Sequence, residues 1–289
     1  MWMKLPSPTT ACGCYRPLHE PYLMKNLFYI LTLALLSACD LVEYHPYDVD
    51  IDGPTGLTRT NCALIEQLCA GKDTLRFAHL SDTQRFYDET EKIVNDINRR
   101  DSIDFVIHTG DMTDFGLPKE YIWQRRILNT LRVPYVCAIG NHDCLAAGEA
   151  AYHKMFGDDN FSLNASFLHI VSLNTNAYEY DYSKDIPDFA FMKQDAASLP
   201  DSVTSTVIAM HVAPGMFLFN DNVADYFNQQ CLQYRNLQFC ICGHDHHFDV
   251  FHPFGEDGTT YIQCDDAKSC SYVIYIVTRN SYRYEVVQL

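Results

Sequence analysis

Three features of this 289-residue chain predict an α/β fold. From residue 75 onward strand-like and helix-like segments alternate, the 47% hydrophobic content can fill a large core, and short loops rich in Asp, Asn and His follow the strand-like segments. Alternation of this kind gives parallel strands joined by helices, and the ligand crevice of such a sheet lies outside the carboxyl ends of its strands.

The chain divides into four stretches. Residues 1–23 contain Pro6, Pro8, Pro17 and Pro21 and precede a good start at Met24, so they are read as a leader or an over-extended start. Residues 24–38 join Lys25, an apolar run over 27–36, and Ser37-Ala38 before Cys39. The run is shorter than the ~20 apolar residues a membrane span needs, and it reads as a signal peptide. It resembles a bacterial lipoprotein signal. That resemblance implies lipid on Cys39 and a membrane-anchored protein of the cell envelope, on its periplasmic or surface face. Residues 39–56 are polar and hold Pro and Asp, as a linker does, and 57–289 form one domain without internal repeats.

Within the domain, Cys62, Leu64, Ile65, Leu68 and Cys69 recur at helical spacing up to Gly71. A βαβαβ series follows: strands over 75–80, 103–108 and 134–139, helices over 89–99 and 119–131. A second series starts near Phe161, with strands over 167–173, 206–210 and 237–242 and a helix over 224–233. Strands over 260–263, 271–277 and 282–287 close the chain.

The formal net charge of −16 argues against a nucleic-acid scaffold, because phosphate backbones are gripped by clustered Lys and Arg. Nine of the 12 cysteines lie beyond Cys39, an odd number at irregular spacing, so no disulfide framework is expected. Cys240 and Cys242 alternate on a buried strand and are read as small core residues.

Five loops carry the chemistry: His79 to Gln84, Thr109 to Asp114, Gly140 to Asp143, Met210 to Pro214, and Gly243 to His247. Convergence at the strand ends would bring Asp82, Gln84, Asp111, Asn141, His211, His244 and His246 together. Carboxylate, imidazole and amide donors without thiolate suit Mn, Fe, Zn or Mg rather than soft copper. Seven ligands exceed what one ion uses, so two divalent ions sharing a carboxylate are expected. A glycine precedes Asp111, Asn141 and His244, where the backbone must turn sharply.

In order and spacing these blocks resemble the calcineurin-like metallophosphoesterase superfamily, with its D-x-H, GD-x-x-D, GNH-D/E, H and GH-x-H motifs. The resemblance implies a four-layer α/β/β/α sandwich with two central mixed sheets. It implies that Asp111 bridges the metals, with Asp82, Gln84 and His246 on one and Asn141, His211 and His244 on the other. His142 becomes the acid or electrostatic stabiliser, oriented by Asp114, and a metal-bound hydroxide the nucleophile. The D-x-H histidine is Gln84 here, a harder and weaker donor, which should loosen the first site and turn it away from zinc. Some family members carry Gln at this place. Phe115 stands where the Ser/Thr phosphoprotein phosphatases carry Arg, and the purple acid phosphatase tyrosine is missing after Asp111. A small phosphodiesterase-like enzyme remains.

Three functions fit: a hydrolase of small phosphodiesters or phosphomonoesters, a metal-binding scaffold with little turnover, and a nucleotide pyrophosphatase. The other histidines, His79, His108, His153 and His169, are read as core or surface residues. Asp143 and Asp245 are expected to support the ligands. Tyr87, Asp88 and Glu89 either face the substrate or, for Asp88, cap a helix. Asn174, Thr175 and Asn176 either line the cleft or form a turn, and 178–187 is an aromatic, acidic loop, either a plain connection or a lid or specificity loop.

Overall fold

In the computed structural model the described residues are 20–37 and 48–289, which belong to two units divided between His45 and Pro46. Cys39 and most of the expected leader lie outside the described residues. The first unit is represented by helix α1 (Glu20–Ser37), which begins upstream of Met24 and exposes Leu27, Phe28 and Ile30. Among the described residues no helix is long and apolar enough to cross a membrane.

The second unit runs α2 (Leu57–Cys69), β1 (Thr74–Leu80), α3 (Tyr87–Arg99), β2 (Phe105–His108), α4 (Pro118–Leu128), β3 (Tyr135–Cys137), α5 (Gly148–Met155), β4 (Phe161–Ala165) and β5 (Leu168–Leu173). It continues with α6 (Phe189–Ala197), β6 (Ser205–Met210), α7 (Ala224–Cys231), β7 (Leu237–Cys242), β8 (Asp249–Phe251), β9 (Tyr261–Gln263), β10 (Ser271–Thr278) and β11 (Tyr282–Gln288). Two mixed sheets result, ordered β11-β10-β1-β2-β3 and β4-β5-β6-β7-β9-β8. In the first, β1, β2 and β3 are parallel and β10 is antiparallel to β1. In the second, β5, β6, β7 and β9 are parallel.

The period of two along each strand sorts side chains between layers. Phe77, Phe105 and Val136 of the first sheet meet Ile170, Val207, Phe239 and Ile241 of the second in a central core. Ala78, Leu80 and Val106 face the opposite way, onto Ile93, Val94 and Ile97 of α3 and Tyr121 of α4. On the far side, Val171, Ile208, Cys240 and Cys242 pack with Met192 of α6 and Phe227 of α7. The order is helix, sheet, sheet, helix, the expected sandwich. A ladder of stacked rings ties the sheets: Phe77 lies 4.9 Å from Tyr275, and Tyr275 lies 5.0 Å from Phe239. Each fully buried ring of this kind contributes about 1.5–3 kcal/mol.

Several expectations are corrected. The described part of the 39–56 stretch lies against the domain: Ile51 is buried, and Arg125 donates to the carbonyls of Asp52 and Pro54. Asp88 does not cap α3; Phe86 holds that position and Asp88 lies in the first turn. Helix α4 ends at Leu128 and starts with Pro118, its entry held by Glu120, whose carboxylate accepts from Phe115 N and Leu117 N. The short helices α5 and α6 were not anticipated. Among the residues of α6 only Met192 is buried, so no apolar stripe announces it.

Candidate metal centre

The loops after β1, β2, β3, β6 and β7 meet on one side of the two sheets. Asp82, Asp111, His244 and His246 hold left-handed backbone, with φ of 52°, 57°, 83° and 56°. Such conformations cost about 1–3 kcal/mol each and persist only where the surroundings impose them. Backbone bonds do so here: Asp82 N donates to Gly110 O (3.0 Å), Gln84 N to Asp111 O (3.1 Å), and Gly243 N to His211 O (3.1 Å). Gly110 has φ +104°, and a Cβ there would lie 2.7 Å from Gly140 N and 2.9 Å from His211 Nδ1. Glycine is therefore what lets three loops close on one another.

The donor atoms of Asp82, Asp111 and His211 lie within 4.8 Å of one another, all three residues buried. His211 Nε2 is 3.3 Å from Asp111 Oδ2 and 3.0 Å from Asn141 Oδ1. His244 Nδ1 is also 3.0 Å from Asn141 Oδ1, and His246 Nε2 is 3.2 Å from Asp82 Oδ1. Six of the seven sequence-derived candidates are thus joined by direct contacts. Gln84 is buried beside Asp111 through its backbone, but no side-chain contact ties it to the other six.

A divalent cation fits this donor set. Asp82 Oδ1, Asp111 Oδ2 and Gln84 Oε1 are buried and accept no hydrogen bond, although the first two face imidazoles at ion-pair distance. Buried carboxylates left in that state are costly unless a cation compensates them. Without metal, protons do part of this. Burial pushes the His211 ring down, but the Asp111 and Asp82 carboxylates outweigh it and lift its pKa to about 9. Burial likewise raises Asp82, yet His246, His211 and Ser81 hold it at about 2. His211 Nδ1 donates to the Thr109 carbonyl at 2.8 Å, so a metal that displaced the Nε2 proton would meet the ring's lone pair facing the cluster.

His142 sits at the edge, partly exposed. Its backbone N donates to Asp111 Oδ1 (2.9 Å), and its ring Nδ1 lies 2.8 Å from the main-chain carbonyl of Asp114. Asp114 thus touches the His142 ring through its backbone. The Asp114 carboxylate is 3.9 Å away and is paired with Arg85 instead. Asp143 braces two loops, accepting from Met112 N (3.0 Å), Thr113 N (2.9 Å) and Gly140 N (3.0 Å). Burial and the neighbouring Asp111 charge outweigh these bonds and raise its pKa to about 7. Asp245 is exposed.

His79, His108 and His169 are core residues, as their sequence positions suggest. His79 is buried against Thr109 and Tyr275, His108 against Thr83, and His169 pairs with Asp195 at 2.9 Å. Asn174, Thr175 and Asn176 brace the turn after β5 through Asp159, Val212 N and Ile139 O. Two residues escaped the sequence reading. Arg85 follows Gln84 but belongs to no motif. Asp266 comes close only because the segment after β9 bridges to Ser81, which puts Asp266 Oδ2 3.8 Å from His246 Nδ1.

Comparison with known proteins agrees with this arrangement. The chain is 25% identical over 180 residues to the uncharacterized protein YvnB of Bacillus subtilis, covering 53% of this chain and 14% of that protein. It is 24% identical over 143 residues to a 3',5'-cyclic-nucleotide phosphodiesterase of Nostoc sp., covering 49% of this chain and 51% of the other. It therefore spans about half the length of one of these relatives and a smaller part of the other. Its fold is similar to that of a purple acid phosphatase from yellow lupin, with a TM-score of 0.59, 14% identity, and coverage of 76% of this chain and 52% of that one. Residues 75–248, which contain all five loops, match the calcineurin-like phosphoesterase family, and the chain belongs to it.

Proposed function

We propose that the protein is a dimetal-dependent hydrolase of small phosphate esters, tethered to a cell-envelope membrane by lipid on Cys39. The observation that carries the enzymatic reading is the buried convergence of Asp82, Asp111 and His211 with carboxylate oxygens that accept no hydrogen bond. The side-chain contacts fall into two groups, Asp82 with His246 and Asn141 with His211 and His244, and an Asp111 carboxylate oxygen lies within 4.8 Å of donor atoms of both Asp82 and His211. This supports Asp111 as the shared ligand, with Asp82, Gln84 and His246 on one ion and Asn141, His211 and His244 on the other. Their oxygen and nitrogen donors suit Mn, Fe, Zn or Mg. When bound, two such cations lower the pKa of water and offset charge on the phosphoryl oxygens.

The chain's own residues supply the remainder. In its doubly protonated form His142 donates through Nδ1 to the Asp114 carbonyl and can give the Nε2 proton to the leaving oxygen. Asp143 keeps the loops carrying Asp111 and Asn141 in register through its backbone contacts. The anchoring reading is supported by the apolar run over 27–36 leading into Ser37-Ala38-Cys39.

The test uses the full chain stripped of metal and reloaded separately with Mn, Fe(II), Zn or Mg, assayed on chromogenic phosphomonoesters and phosphodiesters. Turnover that requires metal and disappears in Asp111→Asn is expected. Stoichiometric metal binding without turnover would favour the scaffold reading, with Gln84 as its first cause. For the anchor, cells given a labelled lipid precursor should label the wild type and not Cys39→Ala; label on the variant would sink it.

A further inference from the structure

Three large aromatic side chains stand exposed on neighbouring loops beside the centre. Tyr178 and Tyr182 belong to the segment after β5, Phe217 to the segment after β6, and their exposures are 49%, 51% and 75%. The Tyr178 ring is 6.1 Å from that of Tyr182 and 6.0 Å from that of Phe217, so the three form one continuous surface. A contiguous exposed apolar patch of this kind marks a place where something binds.

Its position is set by the residues that build the site. Thr175 Oγ1 accepts from the backbone N of Val212, the residue after His211, at 3.2 Å. Asn176 Nδ2 donates to Ile139 O at 2.9 Å, on the strand end that leads into Asn141. Tyr180 places its hydroxyl 3.4 Å from Cys144 Sγ, in the turn that carries His142. Farther along the same loop, Lys184 lies 4.1 Å over the Tyr180 ring and 2.5 Å from Glu149 of α5. The rings thus stand on a braced support, which lowers the ordering cost of binding.

We propose that Tyr178, Tyr182 and Phe217 form a stacking rim for the planar base of a nucleoside phosphate ester held at the metal centre. This rests on the phosphoesterase reading and adds the substrate class. Flat rings offer a π face to any base. An anionic membrane surface is disfavoured as the occupant, because the rim carries Glu179 and the chain has a formal net charge of −16.

The test compares two esters with the same leaving group, thymidine 5'-(p-nitrophenyl phosphate) and ethyl p-nitrophenyl phosphate, on the metal-loaded full chain. The wild type should prefer the thymidine ester in kcat/KM, and Phe217→Ala or Tyr178→Ala should reduce that preference about tenfold, chiefly through KM. Phe217→Tyr, which keeps a ring, should retain it. Equal use of both esters, or a preference unchanged by both alanine variants, overturns the rim; a preference for the ethyl ester points instead to an aliphatic phosphodiester. Calorimetry of AMP against ribose 5-phosphate gives a readout without turnover. Tighter AMP binding that weakens in Phe217→Ala is expected, and equal affinities overturn the rim. Base-dependent binding in a protein that hydrolyses neither ester would uphold the rim and remove the hydrolase reading.

Discussion

His142 is held by the main chain of Asp114 and not by its carboxylate: ring Nδ1 lies 2.8 Å from the Asp114 carbonyl oxygen and 3.9 Å from its Oδ1. The carboxylate faces Arg85, whose side chain is largely exposed. Asp114→Asn should therefore leave the imidazole in place and reduce kcat by less than about tenfold. His142→Ala removes the proton donor and should cost about 10²–10⁴-fold. Steady-state kinetics on one metal-loaded preparation of each variant decides it, and equal losses would mean that the carboxylate acts on the ring after all.

Gly110→Ala is expected to damage the fold and the centre together. Its φ of +104° disfavours any side chain, and the new Cβ would press on Gly140 N and the His211 ring. The backbone strain alone costs about 1–3 kcal/mol. A lower melting temperature with sub-stoichiometric metal in the folded fraction is the expected result; a variant that melts and loads like the wild type would contradict the close approach of these loops.

Gln84→His should tighten metal binding on the order of tenfold, because imidazole is the stronger donor to a borderline cation. The native amide oxygen is buried without a hydrogen bond, so a ligand role would satisfy it. Competition titration with a metal-sensitive dye reads the change, and an unaltered affinity would remove Gln84 from the ligand set.

Acid should weaken the fold through Asp195. Burial acts to raise its pKa, but hydrogen bonds from His169 and Ser162 prevail and hold it below the ordinary 3.8. A depressed carboxyl stabilises the fold above its unfolded pKa, and that contribution is lost as pH falls through the lower folded value. Urea midpoints measured from pH 5 down to pH 2.5 should fall less steeply for Asp195→Asn than for the wild type. Parallel curves would show that the pair contributes nothing to acid sensitivity.

Much of the fold was legible because the inner strands of the two sheets are buried on both faces and read as apolar runs, as in 168–173 and 205–210. Helices with a clear apolar stripe, such as α3 with Ile93, Val94 and Ile97, were equally plain. Helix α6 was not, because among its residues only Met192 is buried. The segment 48–56 was read as a linker from its polar composition; Ile51 and the Arg125 contacts that seat it become visible only against the folded surface.

By itself the sequence determined which residues could serve a metal, since donor type and position after a strand are local properties of the chain. Only the tertiary structure decided how they are held. Arg85 on Asp114, Asp266 near His246, and the meeting of Tyr178 with Phe217 each join segments far apart in sequence or placed on different loops. Such contacts depend on strand order and register, which set distances in space that spacing along the chain does not encode.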